Sequence, residues 1–349
     1  MSYDISVILP TARENHPIIE QPELHMLEIT INCLWKQNFK NFELIIVDAM
    51  HDTREFPFHK IDFPLKHVPI HPDHKFWYNR KRWFVCAALN TALTHAEGEL
   101  IVRVDDCSEF DRDFLSRIWE EYQSDLWLQA MHVRYLGGKP ARFDDEYREK
   151  GYEAKYSKTF EPEERFKILQ RMYGEDGLVR DTRFVEVENK GGRLIAPYQW
   201  MYGYSVFTLD SALKVNGFDE LFDGDKSQED QDFGSRLDLA GYKDLFLLDI
   251  NHQVIEHEHK PIPSNIIEPN VPNIKCNYAI YLQNRIKNRW KANTEKLTEE
   301  DIAFIRKESL KPPCSPRPNF YVDDCRGKLF DIWVKNQNIF DLRDDRLGI

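Results

Sequence analysis

The sequence has no apolar run long enough to cross a membrane. A spanning helix needs about 18 uninterrupted apolar residues, and no stretch of the 349-residue chain approaches that length. The short apolar segment at residues 5–9 is also too short and too poorly flanked for a secretory signal peptide. We therefore expect a soluble, cytoplasmic protein, and contact of its C-terminal helices with a membrane surface stays open.

Positive charge and paired cysteines are also scarce. The formal net charge of −12 opposes broad attraction to nucleic acids or anionic lipids. The six cysteines show no C-x-x-C spacing, so reduced thiols are expected. There is no internal repeat and no low-complexity tract. The length allows one sizeable core with an appended part.

Strands alternate with helices in the first third of the chain. Apolar runs predict strands at 5–9, 44–47, 66–70 and 100–104, and helical spacing predicts helices at 24–36 and 82–95. Such alternation is typical of right-handed crossovers in a mainly parallel sheet with helices on both faces. The sequence therefore predicts the α/β class.

Polar residues follow three of these strands: Pro10 and Thr11, then Asp48, then Asp105 and Asp106. Ligands of open parallel sheets bind beyond the carboxyl ends of the strands, so these side chains are expected at one binding edge. Each position alone is equally typical of an ordinary turn after a strand.

The remainder of the chain predicts an insertion and a tail. Residues 137–196 are strongly polar, and we predict that they form an inserted segment on the acceptor side. Two short strands are predicted at 244–248 and 253–257. We predict a domain over residues 1–260 and a helical C-terminal extension over 261–349.

Four sequence blocks, in the same order, resemble the family 2 glycosyltransferases of the GT-A fold. The blocks are residues 5–11, 34–48, 87–106 and 216–259, the last containing Asn216–Glu220, Glu229–Leu237 and His257–His259. The resemblance implies a Rossmann-like, mainly parallel sheet flanked by helices. It also implies inverting transfer of a sugar from a nucleotide-diphosphate donor with Mn²⁺ or Mg²⁺.

The resemblance assigns residues to the donor. Those placed at the nucleotide sugar are Pro10, Thr11, Arg13, Asp48, Arg80, Arg82, Asn90, Asp105 and Glu229. Asp48 takes the family's nucleobase position. Leu89 stands where the family commonly has an arginine near the diphosphate, and Arg80 or Arg82 is expected to supply that charge.

The resemblance also places a metal site after the fourth strand. The candidate ligands are Asp105, Asp106, Cys107, His257 and His259. A divalent ion neutralises charge that develops on the leaving diphosphate. Cys107 departs from the family's Asp-x-Asp pattern, and thiolate suits softer metals than Mg²⁺. The alternative interpretations are a solvated acidic turn and a strand end whose histidines face water.

Asp230 is the candidate base that takes the proton of the acceptor hydroxyl. It lies in the first turn of a helix predicted at 229–240, where acidic residues also favour the helix N-terminus for purely structural reasons. Both roles are compatible. Trp200 is the candidate acceptor contact within an aromatic stretch, although core packing explains such a stretch equally well.

These observations favour an inverting glycosyltransferase that moves a sugar from a nucleotide-diphosphate donor to a hydroxyl of a glycan, lipid or other molecule. A UDP-sugar is the first candidate for the donor. A degenerate nucleotide-sugar-binding protein is an alternative that Cys107 favours. A nucleotidyltransferase is disfavoured because no Gly-rich, lysine-bearing loop follows the first strand. Glycosylation of a modified nucleic-acid base is a further alternative, against which the acidic charge counts.

Overall fold

The chain folds into two sheets with helices around them. The computed structural model describes residues 3–11, 26–52, 61–70, 85–135, 178–180, 184–196, 201, 203–223, 228–242, 246–256, 277–294, 298–301 and 303–304. The strands are β1 (Tyr3–Thr11), β2 (Phe42–Asp48), β3 (Leu65–Pro69), β4 (Gly98–Arg103), β5 (Ser108–Glu109), β6 (Trp127–Tyr135), β7 (Leu178–Arg180), β8 (Arg193–Ala196), β9 (Val206–Thr208) and β10 (Phe246–Glu256). The α-helices are α1 (Met26–Trp35), α2 (Val85–His95), α3 (Phe114–Gln123), α4 (Phe184–Asn189), α5 (Leu209–Lys214), α6 (Glu229–Leu239) and α7 (Asn277–Ile286).

The first sheet has the strand order β3-β2-β1-β4-β9. Its first four strands are parallel, and β9 adds an antiparallel edge beside β4. The α/β class with a mainly parallel sheet is therefore confirmed. The register of β1 and β2 sets Thr11 level with Asp48. The carboxyl ends of β1 and β2 therefore lie side by side.

Both faces of this sheet are buried. Val7 and Leu9 of β1 join a cluster with α1, whereas Ile8 joins a cluster with α2 on the opposite face. All three side chains are completely buried. Burying one such aliphatic side chain contributes roughly 1.5–3 kcal/mol. This two-sided burial explains why the strands read as continuous apolar runs in the sequence.

The second sheet has the order β5-β10-β6-β7, with β8 paired to β10. The two short strands predicted at 244–248 and 253–257 form the single strand β10, so that prediction was wrong. The register of β10 against β6 shifts between Asp249 and Gln253. A bulge of this kind lets one strand continue through a polar interruption that resembles a turn in the sequence.

The end of the predicted insertion belongs to this second sheet. Strands β7 and β8 and helix α4 come from residues 178–196, and β8 runs antiparallel to β10. Residues 136–177, which make up most of the predicted insertion, lie outside the described residues. Helix α3 and strand β6 were not predicted at all.

Helix α7 packs directly on the α/β core. The Asn277 side chain donates to the Phe222 carbonyl at 3.1 Å, and the Ala292 amide donates to the Val215 carbonyl at 3.0 Å. The domain boundary placed at residue 260 stays a prediction. Across the ranges that the structure describes, we find no helix with the length and apolar character of a membrane span.

Candidate active site

The loop after β4 is joined to the end of β1 by a buried hydrogen bond. The Thr11 hydroxyl donates to a carboxylate oxygen of Asp106 at 2.6 Å. Both residues are at most 5% exposed. The Val104 amide also donates to the Ile8 carbonyl at 3.1 Å. These contacts fix the start of the acidic segment against the central strand.

Asp48 is held at the end of β2 by two neighbours. One carboxylate oxygen accepts a hydrogen bond from the Met50 amide at 2.8 Å, and the other lies 3.0 Å from Nε2 of His67 on β3. The rings of His67 and His51 lie next to each other, with centroids 4.6 Å apart. These contacts give the Asp48 carboxylate a fixed orientation at the end of β2.

Asp105 is half-buried. Its Oδ2 faces Gly203, which lies before β9: a β-carbon on Gly203 would lie 3.5 Å from that oxygen, an ordinary van der Waals distance. The Asp105 carbonyl accepts a hydrogen bond from the Ser108 hydroxyl at 2.7 Å. The next residue but one, Cys107, is 1% exposed.

Glu229 and Asp230 open helix α6. Gln228, directly before them, has a left-handed backbone with φ of 76°. The Gln231 amide donates to the Asp230 carboxylate at 2.8 Å. Glu229 lies 3.8 Å from a terminal guanidinium nitrogen of Arg103, at the end of β4. The first turn of α6 therefore meets the strand that leads to Asp105.

The surroundings of Glu229 change its acidity. The pKa of Glu229 is raised to about 7: burial is the largest cause, the Asp230 charge acts in the same direction, and the Arg103 charge opposes both. The Asp105 carboxylate also contributes to raising this pKa. Desolvation disfavours the ionised form of a carboxyl, and a neighbouring negative charge acts in the same direction. Asp105, Glu229 and Asp230 thus belong to one electrostatic cluster.

Farther along α6, Asp232 and Arg236 form a completely buried ion pair at 2.7 Å. Arg236 also donates to the carbonyls of Val215 and Gly217. The Asn284 side chain, from α7, donates to Asp232 at 2.9 Å. These contacts give Arg236 a structural role beside the acidic cluster.

Asn90 and the start of α2 are held by the loop that follows α5. The Asn90 side chain donates to the Phe218 carbonyl and to Glu220, and accepts from the Phe218 amide. The Asp223 carboxylate accepts from the amides of Cys86 and Ala87 in the first turn of α2. Asn90 thus has a structural task, and its predicted contact with the donor gains no support from this geometry.

The family is identified by sequence comparison. Residues 6–177, about half of the chain, match the description "Glycosyl transferase family 2". The chain belongs to glycosyl transferase family 2. The resemblance to this family is thereby confirmed, with a match that covers the first three sequence blocks, together with the assignment as a glycosyltransferase. None of the curated proteins matches the sequence significantly.

The chain is similar, at low identity, to two proteins of solved structure. One is S. aureus TarS 1-349, at 13% identity and a TM-score of 0.48, with coverage of 97% of this chain and 83% of that chain. The same protein is also solved in complex with UDP-GlcNAc, at a TM-score of 0.47 with 14% identity, covering 97% and 78%. The other is mannosyltransferase PcManGT from Pyrobaculum calidifontis in complex with GDP-Man and Mn²⁺, at 14% identity and a TM-score of 0.43, covering 96% and 74%.

The glycosyltransferase has carboxylates that fit a hard divalent cation. Asp105 and Asp106 follow β4 directly, and their oxygens are the ligand type that Mg²⁺ and Mn²⁺ favour. Within the described part of the chain, no group of three or more His, Cys, Asp or Glu side chains is arranged to hold a metal. Two candidate ligands therefore lie at this edge, and the described residues do not complete a metal shell.

Several predicted site residues of the glycosyltransferase lie outside the described residues. They are Arg13, Arg80, Arg82, Trp200, His257 and His259. Pro10, Thr11, Asp48, Asp105, Asp106 and Cys107 are described at the carboxyl ends of β1, β2 and β4, while Glu229 and Asp230 begin α6. The predictions for the first group stay predictions.

Three residues that shape this region were not predicted. They are Arg103 beside Glu229, His67 beside Asp48 and Asp223 at the start of α2. A signal existed only for Arg103, because a charged residue stands there inside the apolar run of β4. Asp223 is separated from Cys86 by 137 positions, so no local pattern connects them.

Proposed function

We propose that this glycosyltransferase transfers a sugar from a nucleotide-diphosphate sugar to an acceptor hydroxyl, with inversion at the anomeric carbon. The observation that carries the proposal is that the start of α6 lies against the end of β4, where Glu229 is 3.8 Å from Arg103. Asp105 follows β4 and Asp230 begins α6, and both charges raise the pKa of Glu229. Donor-side and acceptor-side carboxylates at one site are what such a transfer needs.

Asp48 supports binding of the nucleoside. Its buried carboxylate is oriented by Met50 and His67. A carboxylate accepts hydrogen bonds, so it pairs with the ring N–H of uracil, thymine or guanine, whereas the corresponding ring nitrogens of cytosine and adenine are themselves acceptors. The proposed donor is therefore a sugar attached to UDP, dTDP or GDP, with UDP as the first candidate.

Asp105 and Asp106 are the proposed ligands of Mn²⁺ or Mg²⁺. When bound, the ion acts as a Lewis acid towards the phosphate oxygens of the donor. The Thr11 hydroxyl orients Asp106 from β1, as hydrogen bonds to ligating carboxylates generally do. Cys107 is a weaker candidate, because a hard cation favours oxygen over sulfur. His257 and His259 remain the candidates for a further ligand.

Asp230 is the proposed base. As the acceptor oxygen bonds to the anomeric carbon, the bond from that carbon to the diphosphate breaks and the hydroxyl proton passes to the Asp230 carboxylate. The Gln231 amide donates a hydrogen bond to the Asp230 carboxylate and so orients it at the N-terminus of α6. Glu229 accompanies it as a neighbouring carboxyl group. Trp200 is the proposed acceptor contact.

The test is nucleotide release from UDP-GlcNAc, UDP-glucose and GDP-mannose, with Mn²⁺, for wild type and Asp230→Asn. We expect one donor to be consumed by wild type and its turnover to fall at least about a hundredfold in the variant. Nucleotide binding should persist, and Asp238→Asn on the same helix is the control. Unchanged turnover in Asp230→Asn would show that Asp230 is not the base.

A second candidate is a degenerate protein that binds a nucleotide sugar without turnover. It is favoured by Cys107, which stands in the acidic motif where the family usually has an aspartate. In that case no donor is consumed by wild type, and Cys107→Asp creates activity. Turnover by wild type excludes this candidate.

A further inference from the structure

Arg103 is a buried cation at the carboxyl end of β4. It is 4% exposed and lies two positions before Asp105. Its main-chain amide is bonded to the Ser205 carbonyl at 2.9 Å, which fixes the strand between β1 and β9. Its guanidinium carbon lies 5.7 Å from the centre of the Phe218 ring, within the range of a cation–π contact.

The guanidinium has few other partners. Its Nε and Nη1 atoms are buried, and no group in the described portion of the chain makes a hydrogen bond to them. Its remaining nitrogen, Nη2, lies 3.8 Å from Oε1 of Glu229. A buried charge requires an opposite charge close by, because desolvation is otherwise too costly. Glu229 is the carboxylate at that distance.

This ion pair connects the end of β4, which leads to Asp105, with the start of α6, which contains Asp230. Arg103 is two residues from Asp105 on β4, and Glu229 is one residue from Asp230 on α6. The α6 turn starts from the left-handed Gln228, a conformation that needs support from its surroundings. A contact between the side chains of Arg103 and Glu229 therefore limits how far Asp230 can move relative to Asp105.

We propose that Arg103 is a positioning residue of the transferase: its guanidinium holds Glu229 against the end of β4 and thereby fixes Asp230 relative to Asp105. The inference rests on the proposed function, since it takes Asp230 as the base. It assigns no contact with the reacting atoms to Arg103. Small displacements of a catalytic group are costly, with about a hundredfold in rate for roughly 1 Å.

The kinetic test uses the full chain with Arg103→Met, which removes the charge at similar length, and Arg103→Lys, which keeps it. With the donor found for wild type and Mn²⁺, we expect kcat to fall about tenfold to a hundredfold in Arg103→Met. The KM for the donor should stay within about twofold, and lysine should recover part of kcat. Arg117→Met on α3, whose partners are Asp111 and His252, is the control.

Unchanged kcat in Arg103→Met, or a raised KM with unchanged kcat, would overturn the proposal. A purely structural loss would instead lower the fraction of protein that binds nucleotide, so each kcat is divided by the binding stoichiometry measured by calorimetry. That correction separates a displaced base from a partly unfolded sample.

A second measurement needs no turnover. Urea midpoints are compared at about pH 8, where the Glu229 carboxyl is ionised, for Arg103→Met, Glu229→Gln and the double variant. We expect the midpoint shift of the double variant to be clearly smaller than the sum of the single shifts, since either change alone breaks the same contact. Additive shifts would overturn the proposal. If wild type neither binds nor consumes a nucleotide sugar, the proposed function fails. The double-mutant comparison of urea midpoints still decides whether Arg103 holds Glu229.

Discussion

The hydroxyl of Thr11 and the carboxylate of Asp106 connect two strand ends through a single buried hydrogen bond. Thr11→Val keeps the side-chain shape and the β-branch but removes the donor. We expect a loss of about 1–2 kcal/mol in the free energy of unfolding, measured by urea denaturation. Thr11→Ser, which keeps a hydroxyl, should lose less. Equal stability of the valine variant and wild type would contradict this account of the contact.

Glu229 makes stability depend on pH. Its pKa is raised from 4.5 to about 7 in the folded chain, so between these values the folded state holds a proton that the unfolded chain has released. Stability contributed by this group is therefore lost as pH rises from about 4.5 to 7. Glu229→Gln removes this dependence, so the stability difference between the variant and wild type should shift in favour of the variant by on the order of 2 kcal/mol between about pH 4.5 and pH 8.

The measurement for Glu229 is urea denaturation in EDTA at several pH values from about 4.5 to 8. The exposed Glu120→Gln on α3 is the matched control, and its difference from wild type should not follow this pH course. A difference between Glu229→Gln and wild type that stays constant with pH would be inconsistent with a buried, proton-binding Glu229.

At the scale of single residues, the sequence indicated the groups at strand ends and helix starts. Asp48, Asp105 and Asp230 could be located because each directly borders an apolar or helical segment. His67 and Arg103 were missed, since their relevance comes from side chains brought near by pairing and packing. A distance such as the 3.8 Å between Arg103 and Glu229 has no local signature in the sequence.

At the scale of elements, α6 and α7 are joined through a buried polar contact. The side-chain amide of Asn284 donates hydrogen bonds to both Asp219 and Asp232, and so lies between these two carboxylates. Burial and the Asp232 charge raise the pKa of Asp219. The interface therefore depends on a neutral donor at position 284.

Asn284→Asp would replace that donor with a third acidic group of the same size. We expect a loss of about 3 kcal/mol in the free energy of unfolding at neutral pH, because buried like charges repel and two hydrogen bonds are lost. The loss should become smaller as the pH falls, because protonation of a carboxyl in this cluster removes part of the repulsion. Asn288→Asp, at an exposed position just after α7, is the control for urea denaturation. Similar midpoints for both variants would contradict this role of Asn284.

The predictability of elements followed their pattern of burial. Strands β1, β2 and β4 were evident as apolar runs because both of their faces are covered. Strand β10 was divided in two because Asn251, in its irregular middle, is polar and exposed. Helix α3 was missed although Phe114, Leu115 and Ile118 have helical spacing and are buried. That pattern was available in the sequence.

At the scale of the whole molecule, the glycosyltransferase is acidic, and the nucleotide-sugar donor also carries negative charge. The formal net charge is −12, and the candidate site adds Asp48, Asp105, Asp106 and Asp230 at one edge. A diphosphate approaching these carboxylates is repelled unless a cation lies between them. The account therefore requires donor binding to depend on a divalent metal.

The parallel sheet and its binding edge were predictable from the order of strands and helices. The second sheet was not, because β6, β7, β8 and β10 come from distant parts of the chain. The same holds for α7, which was predicted as a helix in a tail but contacts the core through Asn277 and Asn284. Interactions between distant segments decide these placements, and periodicity within a segment does not report them.

The most direct measurement is calorimetric binding of UDP, GDP, CDP and dTDP to wild type and Asp105→Ala, with Mn²⁺ and with EDTA. Asp52→Ala is the control, since the Asp52 side chain is 93% exposed. The account predicts that one nucleotide, with uracil, thymine or guanine as its base, binds only with Mn²⁺ and only when Asp105 is present. Binding that is equally tight in EDTA or in Asp105→Ala, or no binding of any nucleotide, would contradict it.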